Sequence, residues 1–278
     1  MSSDTNPNDY QQIADWAHTM FFNLSRTKKL ATPLAFMLVL LVTTACVSVS
    51  LGDEESGGGE SSDQIFRQFN TSSTPMVNVT GFNGRITITA DESNAVSVEA
   101  NLKRPDRVSF EATVDGDVVN ITARQIGAGV FIGSNPSAQM NLSVPSGSKI
   151  DARTSNGSIK VTGVHECMEL QTSNGGIVVE DLSGCVDATT SNGSIALSGD
   201  LSEKSVNSLK TSNGSITVSF ESEPDVAVDA KTSNGVVSTD IPILTSVMER
   251  TSLIGEYGSG SATLKAETSN GNVTFEQE

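Results

Sequence analysis

At 278 residues the chain has room for one or two domains, and its 33 acidic against 17 basic residues give a formal net charge of −16. Such a surface repels phosphate backbones and anionic lipid, which excludes nucleic acid as a partner, and it keeps a β-rich protein soluble. Beyond Gln64 there is no Trp and a single Tyr, Tyr257, so a sugar platform of exposed aromatic rings is poorly supplied.

Residues 1–29 are expected to form a cytoplasmic segment, unless translation starts at Met20, which drops residues 1–19 and makes the rest the start of a lipoprotein signal. Residues 30–51 are apolar or small throughout, with Arg26, Lys28 and Lys29 on their N-terminal flank. They are expected to target the membrane and, by the positive flank, to leave everything after them outside. Two anchors fit this segment. Its 22 residues are long enough to span as a signal anchor, although Thr43, Thr44, Ser48 and Ser50 weaken the second half. Alternatively, Leu34 to Val42 is a signal-peptide core running into Thr43-Thr44-Ala45-Cys46, which resembles a lipobox with Cys46 as the lipid-bearing residue. Thr43 is poorer there than the usual Leu, and both anchors give the same topology. Residues 52–65 are acidic, rich in Gly and Ser and almost without large apolar side chains, the composition of a flexible tether.

Residues 66–278 read as one β domain. Phe66 to Pro145 is expected to form its less regular opening turns, because a stacked fold needs atypical units to hide its ends. The tetrapeptide Thr-Ser-Asn-Gly then recurs from Thr154, Thr172, Thr190, Thr211, Thr232 and Thr268, at intervals of 18, 18, 21, 21 and 36 residues. A fixed-period corner marks a repeat architecture. Asn-Gly suits a tight turn because both residues tolerate positive φ, which predicts left-handed corners. The long last interval is twice eighteen, and Thr251-Ser252-Leu253-Ile254-Gly255 reads as a decayed copy inside it. Around each corner apolar and polar residues alternate, the pattern of a half-buried strand on either side.

Alternation alone leaves two stackings open, a meander of antiparallel hairpins and a solenoid of parallel rungs. Hairpins have no reason to share one turn sequence. A solenoid stacks equivalent corners roughly 4.8 Å apart, where Asn156, Asn174, Asn192, Asn213, Asn234 and Asn270 are placed to form an amide ladder. The expected fold is therefore all-β: a right-handed β-solenoid (a single-stranded parallel β-helix) with about 18–21 residues per repeat, the handedness following the general rule for parallel crossovers. Cys167 and Cys185 each lie five residues before a repeat Thr. In register they fall within disulfide reach, and in a meander they have no reason to meet. The alternative is two unpaired thiols at a corner position that other repeats fill with Lys149, Val206, Ala227 and Thr263.

The stretch ending in Asn83-Gly-Arg-Ile-Thr-Ile88, the run VPSGSKIDARTSNGSIKV from Val144 and the closing GSGSATLKAETSNGNVTF from Gly258 together resemble the bacterial putative-adhesin β-strand-repeat family, a domain of unknown function. The resemblance covers roughly Phe66 to the C-terminus. It implies a β-helix in an exported, membrane-associated, non-catalytic domain.

No catalytic or metal constellation is legible, and no cofactor is expected. His165 is the only histidine after the membrane segment, and no HExxH, GxSxG or P-loop spacing occurs. His165, Glu166 and Cys167 sit together in a variable corner, where a solvated histidine is the expected reading. Asp151, Glu169, Asp187 and Asp229 form an acidic column like those of β-helix lyases and hydrolases. It keeps the repeat period and faces Arg153, Lys210 and Lys231, so cross-strand charge pairing explains it. The chain thus reads as a membrane-anchored envelope protein whose repeats serve as a structural or interaction module for a surface protein or glycan. The alternatives are the ectodomain of an envelope-stress sensor and, more remotely, a polysaccharide-active β-helix enzyme.

Overall fold

Each Thr-Ser-Asn-Gly corner joins two short strands that lie in different sheets. The computed structural model describes residues 61–127 and 134–277, and in it a ten-stranded and an eleven-stranded sheet enclose one apolar core. Among the described residues the one helical turn is the 3-10 turn Pro105–Arg107. Cys46, Met20 and the expected cytoplasmic and membrane-targeting segments lie outside the described residues. Within them no helix is long and apolar enough to cross a membrane.

The repeat strands pair parallel and in register. In the eleven-stranded sheet Lys149–Asn156, Met168–Asn174, Val186–Asn192 and Val206–Asn213 are successive neighbours, with Asn156, Asn174, Asn192 and Asn213 opposite one another. After each corner the chain enters the ten-stranded sheet, where Ile159–Thr162, Ile177–Gly184, Ile195–Leu201 and Ile216–Phe220 repeat that order. The period of two sends Ile86, Ile159, Ile177, Ile195, Ile216, Val273 and Val237 inward as one buried column. Facing them, Val79, Ala152, Leu170, Ala188, Leu209, Ala266 and Ala230 form the matching column of the other sheet. Large and small residues alternate along part of that column, which lets side chains of the opposite sheet interdigitate.

Spatial order departs from chain order at both ends, most clearly at the C-terminal one. The last rung, Ala262–Asn270 with Val273–Gln277, lies between the rung of Val206–Asn213 and that of Val226–Asn234. Residues 251–255, expected as a decayed rung, instead belong to an antiparallel hairpin, Leu244–Glu249 with Ser252–Glu256, laid along Val226–Asn234. This segment lacks the Asn-Gly corner and so cannot turn into the second sheet. Leu253 alone of its large side chains is fully buried.

The opening region also differs from the expectation of irregular turns. Met76–Thr80 and Ile86–Asp91 make a regular first rung, parallel to the repeats. Beside it Ser137–Pro145 and Val118–Gln125 still pair parallel with its two strands, and beyond them the pairing becomes antiparallel: Ala95–Lys103 and Ser62–Asn70 extend one sheet, and Val108–Asp115 extends the other. The fold is thus solenoid-like in its rungs, with two strands per turn, and closed by antiparallel strands at both ends. The first strand takes in Ser62 to Ile65, the last residues of the segment expected to be linker.

The corner glycines have a different cause from the one expected. Positive φ occurs at Gly84 (125°) and Gly271 (151°), but not at Gly157, Gly175, Gly193, Gly214 or Gly235, nor at any repeat Asn. What forbids a side chain is contact between rungs. A Cβ at Gly193 would stand 2.1 Å from the carbonyl oxygen of Gly175, and one at Gly214 would stand 2.0 Å from that of Gly193. The column is glycine because successive backbones touch there.

Candidate interaction surface

The corner column carries an unbroken amide ladder. Nδ2 of each Asn donates to Oδ1 of the next, from Asn234 to Asn270, Asn213, Asn192, Asn174, Asn156 and finally Asn83, at 2.8–3.0 Å. Asn83 then donates to the Pro136 carbonyl at 3.1 Å, which closes that end. All six Asn named from the sequence lie in it. Asn83 is a seventh, missed because Gly81 and Phe82 replace the Thr and Ser of the repeat. Beside the ladder, Ser155, Ser173, Ser191, Ser212, Ser233 and Ser269 are exposed.

Under the corner runs a second column. The Oγ1–H groups of Thr172, Thr190, Thr211, Thr268 and Thr232 donate to carbonyls of Gly157, Gly175, Gly193, Gly214 and Gly271 at 2.8–2.9 Å. Thr154 is buried, yet its Oγ1 has no partner. Two isosteric substitutions therefore differ in outcome. Thr190→Val loses a bond and costs about 1 kcal/mol, whereas Thr154→Val removes an unsatisfied hydroxyl and is neutral or stabilising by up to about 1 kcal/mol. Urea unfolding of the two variants measures the contrast.

Cys167 and Cys185 form a disulfide across two adjacent rungs, with Cα atoms 4.4 Å apart and 18 residues between them in sequence. It lies at the surface, where Cys167 is exposed. Closing a loop of this length removes about 3 kcal/mol of unfolded-state entropy. The double variant Cys167→Ser, Cys185→Ser is expected to have an unfolding free energy lower than the parent's by that amount, as read from denaturant midpoints without reductant.

The charged columns are occupied by ion pairs. Arg153 bridges Asp151 at 2.8 Å and Glu169 at 2.7 Å, Lys231 meets Asp229 at 2.9 Å, and Lys265 meets Glu267 at 2.8 Å. His165 is exposed, and only its backbone N–H, bonded to the Ser146 carbonyl, is held. Among the described residues no group of three His, Cys, Asp or Glu is placed to hold a metal ion.

Several carboxylates latch turns. Asp225 is held below the usual range by N–H of Ser261, then by the hydroxyl and N–H of Ser259, and so fastens the loop that leads into the last rung. Ser143 and Ser93 lower Asp91, Ser72 lowers Asp117, and Lys160 lowers Glu180. A carboxylate depressed in the folded state contributes stability that is present above its unfolded pKa and lost as pH falls through the folded one. The melting temperature is thus expected to hold from neutrality to about pH 4 and to fall below it. Each group is largely solvated, so the loss is gradual.

The apolar exposed feature lies elsewhere, on the outer side of the eleven-stranded sheet. A cavity of about 640 Å³ is lined by Val206, Ala227, Leu244, Ile254 and Leu264, with Asp229, Glu256 and Lys265 among its polar groups. Val206 is 79% and Leu244 80% exposed. A polar groove of about 460 Å³ lies on the same sheet, lined by Lys210, Lys231, Glu267 and the corner residues Ser212, Ser233 and Ser269. The sequence gives no sign of either, since an apolar residue in an alternating strand reads as inward. Asn207 shows the converse: it occupies a core position fully buried, with Oδ1 accepting from Val186 N–H and Nδ2 donating to the Thr263 carbonyl. Its amide stands in for a peptide group of the ladder.

A search of solved structures finds a putative cell adhesion protein from Clostridium sporogenes at 15% identity and a TM-score of 0.45, covering 79% of this chain and all of that one. A putative adhesin from Bacteroides fragilis follows at 13% identity and a TM-score of 0.38, over 78% of this chain and 97% of that one. A putative lipid binding protein from Parabacteroides distasonis shows 11% identity and a TM-score of 0.36, over 80% of this chain and 98% of that one. At these values no function passes from them to this chain. No curated protein matches the sequence. Residues 134–276, from the strand before the first full repeat to the last rung, match the family described as Toastrack DUF4097. With half of its length matched and its stacked corners accounted for, the chain belongs to the Toastrack DUF4097 family.

Proposed function

We propose that this is a non-catalytic, membrane-anchored cell-envelope protein whose stacked rungs, wound as a right-handed β-helix, serve as a surface interaction or structural module. Residues 1–29 stay in the cytoplasm or are absent from the mature chain, residues 30–51 carry the membrane signal, and a short acidic linker holds the repeats outside. A surface protein or glycan is the partner. The observation that carries this reading is the corner column, which continues in register through seven rungs without a local break. A catalytic site breaks a repeat where it needs one special residue. Here three of the four recurring carboxylates of the outer face, Asp151, Glu169 and Asp229, are engaged by neighbouring bases.

The test combines topology with the mature N-terminus. Protease added to intact cells should remove the repeats, and mass spectrometry of the mature protein should show either a lipidated Cys46 or a retained N-terminal segment. Cys46→Ala should abolish lipid labelling under the lipoprotein form, and unchanged anchoring without label identifies the transmembrane form. Protection of the repeats from external protease overturns the proposal.

A further inference from the structure

The eleven-stranded sheet ends in an edge strand protected by little more than one charge and a break in register between Thr245 and Val247. Leu244–Glu249 is the outermost strand, paired on one side with Ser252–Glu256. Exposed edges are ordinarily protected by charge or proline, because their free N–H and C=O groups template another strand. This one has a single charge, Glu249 at its end, and no proline, while Leu244 and Met248 are 80% and 54% exposed.

The edge also overhangs an apolar floor. Leu244, Thr245 and Ser246 line the same cavity as Val206, although the strand of Val206 lies four places away in the sheet. In a flat sheet four spacings amount to about 19 Å. The sheet is therefore curled, which brings its last strand toward the outer face of Ala262–Asn270 and Val226–Asn234. The groove has an edge of unpaired main chain on one side and Val206 on the other, with Ala227 and Ile254 between them.

The surroundings select for charge. Residues 221–260 hold seven acids against two bases, and the groove lining itself holds Asp229 and Glu256 against one base, Lys265. A strand added to the edge would point alternate side chains into the groove and the others toward this acidic surface.

We propose that the groove binds an extended peptide segment of a partner protein, alternating apolar with basic residues, which adds to Leu244–Glu249 as a further strand. This rests on the interaction-module reading and names the partner class for it. The edge supplies main-chain pairing, the groove takes the apolar side chains, and the acidic surround selects Lys or Arg at the alternate positions. An acyl chain would use the floor but neither the edge nor the charge. A second copy of this chain would bring the same acidic surround against itself.

Full-length protein in detergent is titrated into a fluorescein-labelled octapeptide of alternating Lys and Val, and into one of the same composition with its Lys and Val in two blocks. The alternating peptide is expected to bind at least about tenfold tighter, and Leu244→Asp to weaken it at least about tenfold. Leu244 is exposed, so this variant should keep the parent melting temperature. Hydrogen exchange should show new protection confined to residues 244–249. Equal affinity for both peptides, or protection spread over the acidic surface, overturns the proposal as mere charge attraction. Protection of the edge by protein concentration alone assigns it to a second copy and also overturns it. Loss of the peptide signal with the repeats still cleaved from intact cells refutes this assignment and leaves the surface-module reading standing.

Discussion

Gly193→Val is expected to destabilise the fold by about 4 kcal/mol. The obstacle is the 2.1 Å approach of a Cβ to the Gly175 carbonyl oxygen, a backbone atom fixed by its own rung. Overpacking of this kind typically costs about 1–3 kcal/mol. Separating these two rungs also strains the Thr190 bond to the Gly175 carbonyl and the link between Asn192 and Asn174, adding about 1 kcal/mol. The control is Gly116→Ala, where a Cβ meets nothing within 4 Å and only the φ of 60° opposes it. Its cost is about 1 kcal/mol. If the two variants melt alike, contact between rungs is not what makes the corner glycine.

Removing residues 262–278 should abolish folding of the repeat domain rather than shorten it. In a linear stack the C-terminal rung is the last, and its loss leaves the others nearly intact. Here that rung lies inside the stack, between the strands of Asn213 and Asn234. Deletion removes the buried Leu264, Val273 and Phe275 and leaves Leu209, Val218 and Val228 without a neighbour on one side. Losing a buried Leu and a buried Phe costs about 5–10 kcal/mol together, and a domain of this size has only about 5–15 kcal/mol in total. Circular dichroism of the truncated protein should show no cooperative melt. A melt near the parent temperature would show that the stack closes without its inserted rung.

Much of this was legible before the structure. The columns of Ile159, Ile177 and Ile195 and of Asn156, Asn174 and Asn192 are visible because a solenoid translates a sequence period into a spatial one. Equivalent residues are neighbours whenever the chain climbs one rung per repeat. The same logic brought Cys167 and Cys185 to one position on successive rungs. Asn83 escaped because its corner keeps only Asn-Gly of the tetrapeptide, too little to distinguish from any turn.

The exposed edge and its groove were not legible. Leu244, Val247 and Met248 alternate poorly, and nothing local tells a strand that pairs on both sides from one that ends a sheet. Val206 reads as a corner residue, and its place in a groove depends on a hairpin about 40 residues later in the chain curling toward it.

The sequence by itself determined the strand period, the inward columns and the identity of the corner, since these follow from alternation and from a repeat of 18 or 21 residues. Tertiary structure alone decided the order of the last two rungs, the antiparallel closure at both ends and the reason for the corner glycine. The physical cause is the same in each case. Two rungs of equal sequence pair equally well with either neighbour, so the local pattern is degenerate. The choice falls to how the whole stack buries its ends and how closely its backbones pass.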